Sequence, residues 1–290
     1  MSVSCIILVG SANLFGNSIK LGKSVKRFKR GYPVSVKKLF NLNGKNAIIT
    51  GGSRGLGLQI AKALGEMGAS VFLIARKEEE LELAQSDLRG NGIQVFTMAA
   101  DLQDETVIKG VVNNALDKLS TIDILVNNAG ATWGAPAEDY PHAAWHKLMN
   151  LNINATFFLS QEVAKSSMIP RQYGKIINIA SIAGLRGNNP QMQTIGYNTS
   201  KGALVNHTRA LAAEWGKYNI NVNAICPGFF PSKMTEGLLS TMKDTVISKT
   251  PLARIGGEED LMGAAVFLAS EASRHITGQY ISVDGGSSIC

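Results

Sequence analysis

The stretch "KNAIITGGSRGLG" at residues 45–57 decides how this chain is expected to fold. Its first part, residues 45–50, is a short apolar run that ends in glycines, as a buried strand does. Apolar residues then recur at helical spacing through residues 56–68, which end at Gly68. A strand, a glycine-rich turn and a helix in this order are typical of the start of a βαβ unit.

The alternation of strand and helix continues along the chain. Six more short apolar runs predict strands, at 70–76, 93–101, 123–128, 174–181, 220–226 and 279–286. Helices are predicted between them, at 77–90, 107–119, 142–168, 197–216 and 258–270, and a variable segment precedes the last helix. The strand runs are continuously apolar, which is typical of a parallel sheet covered on both faces. We therefore predict an α/β fold, with one doubly wound domain over residues 43–290 and a mostly parallel, seven-stranded sheet.

Three glycines of the first turn, Gly51, Gly55 and Gly57, have the spacing G-x-x-x-G-x-G. Glycines allow a tight turn and let backbone N–H groups approach a pyrophosphate, whose charge the following helix N-terminus stabilises. The alternative is an ordinary glycine-rich turn between strand and helix. Because this turn follows the first strand of a βαβ unit, we predict a dinucleotide-binding site.

Residues near the end of the second strand bear on which dinucleotide binds. A site for NAD usually has an acidic residue there, which bonds the ribose 2′-hydroxyl. Here Arg76 ends the strand, Arg54 lies inside the glycine turn, and the first acid is Glu78. Two guanidinium groups suit a 2′-phosphate, so we predict NADP in preference to NAD. Asp101, at the end of the third strand, either accepts from the adenine amino group or caps the next helix.

The positive charge of the chain is concentrated at its N-terminus. The net charge is +7, yet residues 1–45 hold nine of the 29 Lys and Arg residues and no acid. The rest has 20 basic against 22 acidic residues and offers no case for nucleic-acid binding. We treat residues 1–42 as a basic extension, and a flexible segment, an organellar targeting segment and a membrane contact remain alternatives.

The cysteines, Cys5, Cys226 and Cys290, are too few and too scattered for a disulfide framework. No Cys/His cluster in the sequence suggests a metal site. A reducing compartment, the cytoplasm, is the simpler expectation.

Several motifs, taken together, resemble the classical short-chain dehydrogenases/reductases. They are "TGGSRGLG" (50–57), "NNAG" (127–130), Asn152 in "LNINATF", Ser181 in "INIASIAG", "YNTSK" (197–201) and "CPG" (226–228). Their order and separations fit that family over roughly residues 43–286, which makes the set far more specific than any one motif. The resemblance implies a Rossmann-like domain, an NAD(P)-dependent oxidoreductase, and a homotetramer or homodimer.

The resemblance also implies which residues bind the cofactor and which perform the reaction. The implied cofactor contacts are Gly51, Ser53, Arg54, Gly55, Leu56, Gly57, Arg76, Asp101, Leu102, Asn128, Ala129, Gly130, Tyr197, Lys201, Pro227, Gly228 and Ser232. Tyr197 is similar to the family's general acid, and Ser181 to the residue that hydrogen-bonds the substrate oxygen. Asn152 corresponds to the residue that bends the long helix and holds a water of a proton relay.

Lys201 lies four residues after Tyr197, on the same face of a helix. A free tyrosine has a pKa of about 10, and a nearby cation lowers it toward the range useful for acid–base catalysis. Each residue alone also has a structural interpretation: Ser181 as a strand-end hydroxyl, Asn152 as a helix kink, and Tyr197 as packed core.

The substrate is predicted from weaker signals. Ser181 and Tyr197 are 16 positions apart, a few more than in many members of the family, and the extra residues lie in the loop 184–196. The expected pocket side chains, Trp133, Met192, Phe229 and Phe230, favour an apolar or mixed substrate.

The resemblance to rhamnolipid-type 3-oxoacyl reductases suggests a 3-oxoacyl thioester of CoA or of acyl carrier protein. At the two positions where carrier-protein reductases have basic residues, this chain has Gln172 and Tyr218, with Arg171 and Lys217 adjacent, so docking stays open. The alternatives are a gluconate 5-dehydrogenase-like enzyme of sugar acids or polyols and a non-catalytic NADP-binding sensor.

Overall fold

The computed structural model describes residues 35–290, and within them the predicted Rossmann-like α/β fold is confirmed. Seven strands form one sheet in the order β3-β2-β1-β4-β5-β6-β7, and every neighbouring pair is parallel. The strands are β1 Asn46–Thr50, β2 Ser70–Ala75, β3 Val95–Ala99, β4 Ile124–Asn127, β5 Gly174–Ile179, β6 Ile220–Pro227 and β7 Tyr280–Val283. The sheet is therefore entirely parallel where the sequence predicted a mostly parallel one.

Helices connect consecutive strands, and one short helix precedes β1. They are α1 Val36–Leu39, α2 Gly55–Glu66, α3 Glu78–Gly90, α4 Ile108–Leu119, α5 His142–Met149, α6 Ala155–Val163, α7 Ile169–Arg171, α8 Ile195–Trp215, α9 Glu236–Ser248 and α10 Met262–Ala269. The long helical stretch predicted at 142–168 contains two π-helical segments, Asn150–Asn154 and Ala164–Met168. None of the helices in residues 35–290 is both long and apolar enough to cross a membrane.

The two faces of the sheet pack against different helices because side chains alternate along each strand. Ala47 and Ile49 of β1 belong to a buried cluster with residues of α2, α3 and α10. Ile48, between them, belongs to a second cluster with residues of α4, α6 and α8. All three side chains have no exposed surface, so the run between Asn46 and Thr50 is apolar without interruption.

The order of the strands reverses between β1 and β4. In open parallel sheets this reversal leaves a crevice at the carboxyl ends of the strands, where ligands bind. The glycine turn follows β1 and the NNAG motif begins at the last residue of β4, so both predicted motifs lie at this crevice.

Two segments differ from the sequence-based assignment. Helix α9 is absent from the sequence-based prediction because its apolar pattern is weak: Val246 is its one buried residue. Ser35–Cys290 forms a compact unit, and Leu42 is buried with its N–H donating to the Met67 carbonyl at 2.9 Å. Phe40 and Leu42 therefore pack on the domain, whereas residues 35–38 are exposed. The alternatives for residues 1–34 lie outside the described residues.

Candidate active site

The glycine turn has the backbone shape that only glycine adopts without strain. Gly51 has φ +64° and Gly55 has φ +53°. A Cβ on Gly51 would lie 2.9 Å from Asn128 Nδ2, and one on Gly57 would collide with the Gly51 carbonyl oxygen. A side chain at Gly51 or Gly57 would therefore push the turn away from the strand ends. At Gly55 the nearest atom would be Ser232 Cβ at 4.0 Å, which leaves space between the turn and the segment after β6.

Hydrogen bonds join the turn to the end of β4. The Thr50 hydroxyl accepts from the backbone N–H groups of Asn128 and Ala129, both at 2.9 Å. The Asn128 amide donates to the carbonyl oxygens of Thr50 at 2.9 Å and Gly51 at 3.1 Å. Asn127, one residue earlier, donates to Ser160 and Asn178 inside the domain. These bonds hold the turn and the NNAG segment at one edge of the crevice.

The catalytic candidates Ser181, Tyr197 and Lys201 lie together where β5 ends and α8 begins. Lys201 is 4 % exposed, and its ammonium donates to the Ile179 carbonyl at 2.7 Å. The same ammonium lies 5.7 Å from the centre of the Tyr197 ring. Ser181 follows β5 and is 8 % exposed. The arrangement places two hydroxyls and one cation within a single buried corner.

Asn152 supports this corner from behind. It is fully buried in the π-helical segment Asn150–Asn154. Its Oδ1 accepts from the Ala131 N–H at 2.9 Å, and its Nδ2 donates to the Ala131 carbonyl at 3.0 Å and to Ser200 Oγ at 2.9 Å. A Cβ on Gly130 would lie 3.3 Å from Asn152 Oδ1 and 3.5 Å from Lys201 Nζ. The side chain thus links the NNAG segment to helix α8.

Burial controls the protonation of this corner. It lowers the pKa of Lys201 to about 8, so the ammonium form still predominates at neutral pH. Burial also raises the pKa of Tyr197, and the Ser181 side chain opposes part of that rise. Tyr197 therefore holds its proton at neutral pH beside a cation that can stabilise its anion.

One cleft of about 1110 Å³ connects the glycine turn to this corner. All predicted cofactor residues line it except Gly57, and so do Ser181 and Phe230. Asn152, Trp133, Met192 and Phe229 do not line it. The segment after β6 also borders the cleft, with Pro227, Gly228 and Ser232. A Cβ on Gly228 would lie 2.8 Å from Asp284.

Charged side chains gather at the end of the cleft that Arg54 and Arg76 line, which we call the adenosine end because the sequence predicts the adenosine of the cofactor there. Arg76 is exposed, whereas Arg54 pairs with Glu80 at 2.7 Å. The Asp101 side chain accepts from the Gln103 N–H, while Asp104 caps the helical turn that leads into α4. The helix-cap alternative for Asp101 is therefore wrong. Its side chain forms an Asx turn with the N–H of Gln103, two residues later.

The four predicted substrate residues fall into two groups. Trp133 is 50 % exposed, and its loop is joined to that of Met192 by the Ala135 N–H, which donates to the Gln193 carbonyl at 2.9 Å. Phe230 is only 3 % exposed, because its ring lies against Gly256. Phe229 packs on a buried cluster that includes Ile182. The apolar surface available to a substrate is smaller than the sequence predicted.

The residues of the cleft fit a nicotinamide dinucleotide. A Cβ at Gly55 would meet nothing closer than Ser232 Cβ at 4.0 Å, so the backbone of the turn is open to a pyrophosphate at that residue. Arg54, Arg76 and Lys233 supply cations at the opposite end from Tyr197. Among residues 35–290, no group of three His, Cys, Asp or Glu side chains is placed to hold a metal ion.

Sequence reasoning missed Glu80, Lys77 and Lys233 in this cleft. Glu80 belongs to the run "KEEELE", and nothing in the run distinguishes it from Glu78 or Glu79. Lys233 comes from the distant segment after β6, so no local spacing indicates its approach to Glu80. The i,i+3 relation of Lys77 to Glu80 was the one available signal.

Comparisons with known proteins identify relatives of this chain. The family model for short chain dehydrogenases matches residues 45–243. The gluconate 5-dehydrogenase of Gluconobacter oxydans (strain 621H) is 42 % identical over 251 residues, which cover 86 % of this chain and 96 % of that protein. The 3-oxoacyl-acyl-carrier-protein reductase of Chlamydia trachomatis is 39 % identical over 84 % of this chain and 98 % of that protein.

A solved structure is also similar. The gluconate 5-dehydrogenase of Burkholderia cenocepacia, in complex with NADP and tartrate, superposes with a TM-score of 0.83 at 34 % identity. The match covers 88 % of this chain and 100 % of that one.

Proposed function

Because the chain belongs to the short-chain dehydrogenase/reductase family and is an NAD(P)-dependent oxidoreductase, we propose that it interconverts a ketone and a secondary alcohol on a polar, hydroxylated small molecule. The observation that carries the reaction is the grouping of Ser181, Tyr197 and Lys201 at one end of the cleft. In this proposal NADP is the preferred cofactor and NAD the alternative.

Each residue of the corner has a distinct part in the proposed reaction. A bound nicotinamide cofactor supplies or accepts the hydride. In the direction of reduction, Tyr197 donates its phenolic proton to the carbonyl oxygen, and Ser181 donates a hydrogen bond to the same oxygen. The Lys201 ammonium stabilises the phenolate that remains. Asn152 positions Lys201 and the NNAG segment through Ala131 and Ser200.

The preference for NADP is supported by charge. Arg54, Lys77 and Lys233 surround one end of the cleft, and Arg76 is exposed beside them. Guanidinium and ammonium groups suit a 2′-phosphate. The similar Burkholderia enzyme was solved in complex with NADP.

A polar substrate is supported by the loop 184–196, which connects Ser181 to Tyr197 along the chain. In the loop 184–196, Asn188 donates to Thr194 at 3.1 Å and to Asn198 of α8 at 3.0 Å. Gln191 and Gln193 of this loop are exposed. Amide and hydroxyl groups can exchange hydrogen bonds with a substrate rich in hydroxyls. Relatives named for gluconate and keto-gluconate substrates point in the same direction.

A 3-oxoacyl thioester, the substrate ranked first from the sequence, is the second candidate. The exposed Trp133 and the Chlamydia relative favour it. Docking of a carrier protein through Arg171 has less support, because that guanidinium pairs with Asp123 at 2.9 Å and donates to the Ile122 carbonyl at 2.7 Å. Arg171 also precedes β5, whereas Ser181 follows it, so the two residues lie at opposite ends of this strand.

A cofactor-oxidation assay tests the proposal. Purified protein is mixed with NADPH or NADH and one carbonyl compound: 5-keto-gluconate, acetoacetyl-CoA, longer 3-oxoacyl thioesters or simple ketones. We expect kcat/KM to be highest for 5-keto-gluconate with NADPH. Faster reduction of the thioesters would replace the polar substrate by the second candidate. Tight cofactor binding without turnover of any compound would instead support a non-catalytic sensor. The expected homotetramer or homodimer and the cytoplasmic location stay predictions.

A further inference from the structure

Four charged side chains meet at the adenosine end of the cleft. Glu80, in the first turn of α3, accepts hydrogen bonds from Arg54 Nη1 on both carboxylate oxygens, at 2.7 and 3.0 Å. Lys77 Nζ lies 3.5 Å from Glu80 Oε1, and Lys233 Nζ lies 3.6 Å from the same atom. We call Glu80, Arg54, Lys77 and Lys233 the Glu80 cluster.

The Glu80 cluster joins three separate segments of the chain. Arg54 comes from the glycine turn, Lys77 and Glu80 from the start of α3, and Lys233 from the segment after β6. All four residues line the cleft. In a doubly wound fold, the pyrophosphate lies at the glycine turn and the adenosine ribose is bound beyond β2. The cluster therefore lies where the ribose 2′ position is expected.

The carboxylate of the cluster is charged at neutral pH. Partial burial favours its neutral form, but the charges of Arg54, Lys77 and Lys233 outweigh that effect and lower the pKa of Glu80. The cluster thus combines one anion and three cations. The side chain of Glu80 is 23 % exposed and that of Arg54 is 48 % exposed, so both can exchange their present partner for a ligand.

A carboxylate and a guanidinium prefer different ligands at this position. A carboxylate accepts hydrogen bonds from ribose hydroxyls, whereas it repels a 2′-phosphate. The guanidinium and the ammonium groups attract the phosphate. Because Glu80 holds Arg54 through both oxygens, a 2′-phosphate must compete with Glu80 for that guanidinium.

We propose that Glu80 is a specificity-determining residue that balances the two cofactors, because it accepts from the ribose 2′-hydroxyl of NAD and withholds Arg54 from the 2′-phosphate of NADP. This inference rests on the proposed use of the cleft for a nicotinamide dinucleotide. It accounts for an acid and three cations at one position, where a site for one cofactor needs only the acid or only the cations.

The variant Glu80→Gln tests this balance, with Glu79→Gln as its matched control. Both changes remove one negative charge from the first turn of α3. Among residues 35–290, Glu79 takes part in no ion pair, whereas Glu80 contacts three cations. Dissociation constants for NADPH and NADH are measured by cofactor fluorescence, in the full-length protein and at one low ionic strength.

We expect Glu80→Gln to bind NADPH about fivefold more tightly and NADH about fivefold more weakly, in keeping with an exposed charge interaction. Glu79→Gln should leave both constants within about twofold. Weaker binding of both cofactors by Glu80→Gln would show that Glu80 positions the cations, and it would overturn the proposal. Unchanged constants, or an equal shift in Glu79→Gln, would overturn it too. If the unaltered protein binds neither cofactor, the proposed function fails instead.

Discussion

The two ends of the cleft differ in how far their charged side chains are exposed to solvent. At the end proposed for the reaction, Lys201 and, behind it, Asn152 are buried, and each of their polar contacts goes to a backbone group or a buried hydroxyl. At the adenosine end, Arg54, Lys77 and Lys233 are largely exposed and share one carboxylate. The polar side chains at both ends contact oxygen atoms of the protein, but only those at the first end are buried away from water.

This difference predicts how each end responds to change. A buried polar group that loses its partner costs about 1–3 kcal/mol, because no water replaces the bond. An exposed ion pair contributes about 0–1 kcal/mol, because solvent and salt screen it. Substitutions at the reaction end should therefore have large effects on activity or stability. Those at the adenosine end should change cofactor affinity only slightly, as expected above for Glu80→Gln.

The largest effect is expected from Tyr197→Phe. Loss of the phenolic proton should lower kcat about 10²–10⁴-fold, which is the usual contribution of a general acid. The dissociation constant for NADPH should change little, because the aromatic ring remains. Steady-state kinetics and cofactor fluorescence measure the two quantities.

Tyr280→Phe is the matched control for Tyr197→Phe, because it removes the hydroxyl of a tyrosine that is 42 % exposed on β7. Its kcat should stay near that of the unaltered protein. A Tyr197→Phe enzyme that keeps more than about a tenth of the rate would contradict the general-acid role.

Asn152→Ala should produce the next largest effect, on stability as well as activity. The change leaves the Ala131 N–H and carbonyl and the Ser200 hydroxyl without their buried partner. We expect the free energy of unfolding to fall by about 2–3 kcal/mol, measured by urea denaturation.

Asn154→Ala provides the comparison for Asn152→Ala within the same π-helical segment. Asn154 is exposed, and its side chain bonds Asn150 at the surface. This variant should change the free energy of unfolding by less than about 0.5 kcal/mol. Equal losses in the two variants would mean that the segment, rather than the buried amide, carries the effect.

A smaller effect is expected from pH. The Lys201 ammonium, whose pKa burial lowers to about 8, is charged below that pH and neutral above it. Since the cation stabilises the Tyr197 phenolate, kcat/KM for NADPH-dependent reduction should be highest below pH 8. Above it, kcat/KM should fall about tenfold per pH unit. A profile at constant ionic strength that stays flat from about pH 6 to 9.5 would remove Lys201 from this role.

Much of the fold could be predicted because local chemistry specifies it. Continuous apolar runs such as residues 45–50 indicate strands buried on both faces, and the glycines after them indicate tight turns. Helix α9 escaped prediction because it buries one residue, so its sequence has little of the apolar periodicity that identifies a helix. The motif residues Ser181, Tyr197 and Lys201 were predicted from their order, but their burial was not.

The sequence by itself predicted the parallel sheet from local apolar runs, the glycine turn from its spacing, and the candidates Ser181, Tyr197 and Lys201 from the order of their motifs. Only the tertiary structure decided what surrounds those side chains. It buries Lys201 enough to change its pKa, turns Phe230 into core, and brings Lys233 within 3.6 Å of Glu80. Desolvation and charge pairing depend on distances between remote segments, and no local pattern encodes those distances.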